Sequence, residues 1–203
     1  MNAMSSEKRP YELKERAKRQ DETRRRIVQA TAELHEEVGP ARTTIAEIAR
    51  RAGVQRLTVY KHFPDDAELF GACSGHYMAD HPPPDLGEAL ALEDPGQRVR
   101  GVLRRVYPWY RETERMAANI QRDRLLLPAL DEQAAITIDE PRAAIAAALV
   151  AGFAASGPQA KRIGALVAVA LDFWTWRRLT KQGLGDAAAA ELMADAIASG
   201  ARS

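Results

Sequence analysis

The chain has 203 residues, 46% of them apolar, which is room for one domain or two small ones around a real core. Its formal net charge is only +1, so the overall balance points to no polyanionic partner, and the single cysteine, Cys73, excludes an intrachain disulfide. The N-terminus lacks the apolar stretch of a secretory signal and no apolar run approaches the ~20 residues that span a bilayer, so a soluble cytoplasmic protein with no membrane partner is expected.

The charge is unevenly placed. Residues 1–63 carry 14 Lys/Arg against 9 Asp/Glu, net +5, while residues 64–203 carry 15 against 19, net −4. A basic first third joined to a mildly acidic remainder is the asymmetry of a chain whose one end meets phosphate. Residues 1–22 read as a basic, solvated arm. A packed helix is expected over 23–38, on the stripe Ile27, Ala30, Leu34 and Val38, with Gly39-Pro40 ending it.

The next helix starts at a capping box. The Thr44 hydroxyl is placed to accept the Glu47 amide while the Glu47 carboxylate reaches back. Ile45, Ile48, Ala49 and Ala52 share its apolar face, and Gly53 sits where a left-handed glycine closes a helix. A third helix follows at about 56–63, blocked by Pro64, and Asp65-x-x-Glu68 starts a fourth that runs to about residue 78.

Two short helices joined by a tight glycine turn make a helix-turn-helix, in which the second helix lies in the DNA major groove. With Val59 at zero and a step of about 100° per residue, Phe63 falls near 40° and faces the core. Leu57, Lys61 and Thr58 fall at roughly 160°, 200° and 260°, on the opposite face. That face offers an apolar group for a thymine methyl, an ammonium and a hydroxyl, a set suited to base edges. Arg56, Tyr60 and His62 flank it and suit phosphates.

Beyond the rigid His81-Pro-Pro-Pro-Asp85 break, helices are expected at about 95–113, 114–123, 126–134, 140–153, 159–182 and 186–199. Asp94-Pro95 is a strong start, an N-cap followed by proline at the first helical position. Thr137, Ile138 and Pro141 argue against a continuous helix over 135–141. Ile163, Leu166, Val167, Ala170, Leu171, Phe173, Trp174 and Trp176 cover more than one face of the 159–182 helix, more than one intramolecular contact is expected to bury.

The run Thr44-Ile-Ala-Glu-Ile-Ala-Arg-Arg-Ala-Gly-Val54, then Thr58-Val-Tyr-Lys-His-Phe63 and Leu69-Phe70, resembles the signature of the tetracycline-repressor (TetR) family. Arg25-Arg-Ile-Val, Ala32-Glu-Leu and the Gly39 turn extend the likeness over residues 24–70. The resemblance implies an all-α protein with an N-terminal three-helix DNA-binding domain (23–64) and a larger helical ligand-binding and dimerisation domain (65–203). It implies DNA contacts from Arg42, Thr43, Thr44, Arg56, Leu57, Thr58, Tyr60, Lys61 and His62. Two positions depart from the family pattern: Gln55 stands where Ser or Thr commonly caps the reading helix, and Leu57 where a small residue is common.

The same resemblance implies a homodimer through helices 159–182 and 186–199, bound to a pseudo-palindromic double-stranded DNA operator. It also implies a small-molecule inducer enclosed by the central helices. Tyr107, Tyr110, Asn119 and Phe153 are the candidate lining residues. Ligand would then shift the population toward a form whose reading helices no longer match successive grooves, with the fourth helix as coupling element.

Competing readings are a regulator without an inducer, a helical enzyme with a vestigial DNA-binding domain, and an all-α scaffold. Cys73, His76 and His81 lack a second matching pair of metal ligands. Ser74, His76 and Asp80 crowd one helix with no nucleophile elbow. No catalytic set, metal or cofactor is expected.

Overall fold

The computed structural model describes residues 4–202, with side chains from residue 14 onward. The first three residues of the basic arm, and the side chain of Glu12, lie outside the described residues. In chain order the helices are α1 (Met4–Glu37), α2 (Ile45–Ala52), α3 (Arg56–His62), α4 (Asp66–Asp80), α5 (Gly87–Leu90), α6 (Pro95–Glu112), α7 (Glu114–Asp123), α8 (Pro128–Ala134), α9 (Glu140–Ala151), α10 (Gly157–Ala170), α11 (Phe173–Lys181) and α12 (Asp186–Arg202). No strand occurs among the described residues, and no helix there is long and apolar enough to cross a membrane. The chain divides into two compact units: unit 1 runs up to Asp80 and takes in Asn119–Gln133, and unit 2 comprises His81–Ala118 with the residues from Ala134 on.

In unit 1, α1 continues well before residue 23, so the charged arm and the packed helix are one element. Over residues 14–26 it is largely exposed and held locally, by Glu22 with Arg25 and by the Thr23 hydroxyl donating to the Arg19 carbonyl at 2.8 Å. The apolar stripe is Ile27, Ala30 and Leu34, joined by buried Thr31 and His35. Val38 does not extend the stripe: it lies past the last helical residue and is 39% exposed. The cause is Gly39, whose φ of 96° and ψ of 155° turn the chain out of the helix in a region that only glycine populates readily.

The local signals for α2 to α4 act as their chemistry dictates. Thr44 Oγ1 accepts the Glu47 N–H at 3.2 Å, and Gly53 closes α2 in the left-handed conformation (φ 65°), with Val54 N–H returning to the Ala49 carbonyl at 2.9 Å. Asp65 Oδ1 accepts the Glu68 N–H at 2.8 Å. The three helices pack on α1 through Ile48, Ala49, Ala52, Val59, Phe63 and Leu69.

In unit 2 the core lies between α6, α9, α10, α11 and α12 and includes Val99, Val102, Leu103, Tyr107, Leu149, Ile163, Val167, Trp176 and Ile197. Asp94 Oδ1 accepts the Gln97 N–H at 2.7 Å and starts α6. Ion pairs fasten α6 to α12: Arg100 to Glu191 and Asp195, Arg104 to Glu191, and Arg111 to Asp186.

The expected 159–182 helix is two helices. Asp172, with extended backbone, accepts the Thr175 N–H at 3.0 Å and starts α11 afresh, so α10 stops at Ala170. That break lets Ile163, Val167, Ala170, Leu171, Phe173 and Trp176 all turn into their own core. The apolar side chains left outside are fewer than the pattern suggested: Val169, Trp174 and Leu192 are exposed and Leu166 is half-buried. Residues 135–139 also differ from the expected interruption. They form one π-helical turn leading into α9, where Pro141 occupies a first-turn position that needs no donor.

Candidate nucleic-acid interface

The face of α3 turned from the core is set by Val59 and Phe63, which are buried at 0% and 2% exposure. With those two inward, Arg56, Leu57, Tyr60 and Lys61 are exposed, while Thr58 and His62 are half-buried at the edge. Leu57 is 76% exposed and Tyr60 53%, so the centre of the open face runs Leu57, Tyr60, Lys61. A single solvated leucine is ordinary on a protein surface, but Leu57 and Tyr60 are exposed three residues apart on one helix, so the two share the open face. Gln55 precedes α3 with no side-chain cap hydrogen bond, as expected of glutamine there.

Ahead of α2, Arg42 and Thr44 are exposed and Thr43 is half-buried. The Thr43 hydroxyl donates to the Gly39 carbonyl at 2.9 Å, and Thr44 is occupied as the cap of α2. Among the described residues, no carboxylate pairs with Arg56 or Lys61, while Arg42 lies near enough to Asp123 for its charge to lower that carboxyl. Other cations of the region are engaged. Arg51 grips Glu37 through bonds of 2.6 and 2.7 Å and so ties α2 to α1, and Arg24 lies over the Phe63 ring at 4.8 Å. His62 titrates below its ordinary value, first because it is partly desolvated and then because Lys61 and Arg24 add positive charge beside it. The surface is therefore electropositive: among the described residues Arg56 and Lys61 are uncommitted cations around an apolar and aromatic centre, and Arg42 adds a third positive charge beside them that also acts on Asp123.

The four candidate ligand residues fall into both units. Tyr107, Tyr110 and Phe153 belong to unit 2, Asn119 to unit 1. The Tyr107 hydroxyl donates to the Ala170 carbonyl at 2.8 Å and that of Tyr110 to the Leu171 carbonyl at 2.6 Å. Burial pushes Tyr110 up to about 12 and Tyr107 above its ordinary value as well. Phe153 is half-buried against the unit 2 core. Asn119 Nδ2 donates to the carbonyls of His35 and Glu36, both at 2.9 Å. A cavity of about 270 Å³ between α1 and α4 is lined by Asp21, Arg24, Arg25, Val28, Ala72 and His76, none of them among the four.

Cys73 and His76 do not converge either: Cys73 Sγ lies 3.5 Å from His35 Nδ1, and His76 Nε2 lies 3.7 Å from Asp80. Sequence reasoning missed Arg122 and Asp123, which reach the turn before α2. Their only local signal was an Arg-Asp pair at the end of a helix, and their partners lie about 80 residues away.

Residues 27–73, from the packed half of α1 to the middle of α4, match the model of the tetR family of bacterial regulatory proteins. Over that segment the chain is similar to the TetR family. Among curated proteins it is similar to the HTH-type transcriptional regulator TtgR of Pseudomonas putida, 44% identical over 75 residues, 36% of this chain and 34% of that protein. It is also 44% identical over 55 residues to an uncharacterised HTH-type transcriptional regulator of Mycobacterium tuberculosis, 27% of this chain and 29% of that one. The match thus spans about a third of the length of these relatives. A TetR-like regulator from Rhodococcus sp. RHA1 superposes with a TM-score of 0.60 at 18% identity, over 86% of this chain and 93% of that one. NalD of Pseudomonas aeruginosa does so at 0.54 and 23%, over 89% and 96%. At these identities the shared property is the TetR fold.

Proposed function

We propose that this chain is a DNA-binding transcriptional regulator that acts as a homodimeric repressor on a pseudo-palindromic operator. The observation that carries the reading is the open face of α3, with Leu57, Tyr60 and Lys61 solvated on a helix-turn-helix and, among the described residues, Arg56 and Lys61 free of carboxylates. Leu57, Thr58, Tyr60 and Lys61 read base edges, and Arg42, Thr43, Thr44, Arg56 and His62 hold phosphates. Dimerisation through residues 159–182 (α10 and α11) and 186–199 (α12) is supported by the apolar Val169, Trp174 and Leu192 left in solvent on those helices. Release by a small molecule, coupled through α4, is the mode that the family resemblance implies.

A second reading, a regulator without an inducer and governed by abundance or a protein partner, is favoured by one observation. Both phenol hydroxyls that would have met a ligand are already given to backbone carbonyls. Selection of bound duplexes from a random DNA pool tests the main reading. The expected product is a palindrome whose half-sites lie about 10 base pairs apart or a multiple of it, with affinity falling steeply as salt rises. Enrichment of no sequence sinks it. A thermal-shift screen of small molecules on the same protein separates the inducible from the non-inducible form.

A further inference from the structure

The turn between α1 and α2 sets the direction in which the helix-turn-helix leaves α1, and its backbone is gripped from the last turn of α7. Asp123, 2% exposed, accepts the Ala41 N–H on Oδ2 at 3.0 Å. Arg122 donates to both carboxylate oxygens, at 2.6 and 2.9 Å, and to the Val38 carbonyl at 3.2 Å. Its remaining nitrogen donates to Asn119 Oδ1 at 2.9 Å, while Asn119 Nδ2 serves the His35 and Glu36 carbonyls that end α1. Gly39 is in direct contact with this group: a Cβ there would stand 2.2 Å from Arg122 Nη2 and 2.4 Å from Asp123 Oδ2. All of these residues belong to unit 1.

Residues 119, 122 and 123 share one helical face, and that face meets the backbone of the turn and of the end of α1. Burial by itself would raise the Asp123 carboxyl. The Arg122 and Ala41 hydrogen bonds and the charges of Arg122 and Arg42 outweigh it and hold the group ionised, below the usual carboxylate range. The held segment carries Arg42 and Thr43 and leads directly into α2. Recognition needs the reading side chains fixed to within about half an ångström, which a loose turn cannot supply.

We propose that Asn119, Arg122 and Asp123 are positioning residues for DNA recognition, clamping the 38–41 turn so that α2 and α3 present their face at one angle. This rests on the DNA-binding reading above. The test uses the full chain and four proteins: wild type, Asp123→Ala, Asp123→Asn (which keeps an acceptor for Ala41) and Arg122→Ala, whose side chain is half exposed. Affinity is measured for the duplex that the wild type selects and for a scrambled duplex of equal length at the same salt, and amide exchange is followed without DNA.

Asp123→Ala and Arg122→Ala should lose about tenfold in affinity for the selected duplex. They should bind the scrambled one as before, because non-specific phosphate attraction tolerates a changed pose. Asp123→Asn should fall between, and exchange should quicken at Ala41 and along α2 while unit 2 is unaffected. Equal loss on both duplexes with faster exchange throughout means general destabilisation and overturns the proposal, as does unchanged selectivity. Unchanged exchange at Ala41 in Asp123→Ala overturns the clamp itself, with or without DNA. A wild type that selects no duplex overturns the DNA-binding reading and the positioning role with it.

Discussion

The thiol of Cys73 on α4 lies 3.5 Å from Nδ1 of His35 on α1, inside the core of unit 1. Burial pushes the Cys73 thiol up to about 12, so its proton is retained, and we assign Sγ–H as the donor to a neutral imidazole. The Phe70 ring lies against the imidazole, tilted by 41° with the ring centroids 5.6 Å apart. His35 is thus neutral by construction: desolvation lowers it from 6.5 to about 4, with the charge of Asp123 opposing.

This relation gives unit 1 a defined acid sensitivity. The folded chain resists protonation of His35 down to about pH 4, whereas the unfolded chain takes the proton near 6.5. The stabilising contribution is complete above the unfolded value and lost as pH falls from about 6.5 to about 4, by about 3 kcal/mol at the lower end. The depressed Asp123 carboxyl acts only further down, below its unfolded value of about 3.9. Denaturant midpoints of wild type and His35→Gln at pH 7 and pH 4.5 check the window. The wild type should lose markedly more between the two; equal losses would remove His35 as the cause.

Tyr107 and Tyr110 give the second prediction. The last carbonyls of a helix have no partner within it, and at the end of α10 these two hydroxyls supply donors to Ala170 and Leu171. Tyr107→Phe should cost about 1–2 kcal/mol by removing a buried donor, and Tyr110→Phe, at a part-buried bond, about 0.5–1.5 kcal/mol, neither changing the ring packing. Urea unfolding with an unchanged slope is the measurement. A neutral result for both would mean that the break after α10 stands on the Asp172 cap alone.

The elements that could be read from the chain were those closed by local chemistry. Thr44, Gly53, Asp65 and Asp94 each bond within four or five residues, so their spacing was enough. Asp172 is a signal of the same kind, followed by Thr175, but it lies inside the apolar run from Val167 to Trp176, and the periodicity concealed it. Asn119 could not be read at all: a polar side chain among apolar neighbours suits a ligand wall and a clamp equally, and its partners are 83 and 84 residues away. On α3 the angular pattern placed the inward pair Val59 and Phe63 correctly. The packing then put Tyr60 at the centre of the open face and Thr58 at its edge.

Gln55 is a place where the chain falls short of what its geometry allows. Its backbone is extended, as an N-cap requires, yet no side-chain oxygen meets the first amides of α3. Gln55→Ser should raise stability by about 0.5–1 kcal/mol through a hydroxyl that accepts the Leu57 or Thr58 N–H. Thermal unfolding decides it. A lower midpoint would show that Gln55 makes a contribution that capping cannot replace.

Lys61→Ala tests the interface most directly. Lys61 is exposed, has no carboxylate partner among the described residues and points away from Val59, so its removal should move stability by no more than about 0.5 kcal/mol. DNA separates two roles for the ammonium. If it holds a phosphate, affinity should fall on every sequence alike, and the slope of log affinity against log salt should become shallower by about one. If it reads a base, the loss should be larger on the selected duplex than on a scrambled one, and preference should relax at a single position. Its place at about 200° from the buried Val59, beside Leu57, favours base reading. Binding titrations across a salt series on both duplexes resolve the two roles, and unchanged affinity on both would mean that α3 does not dock through this face.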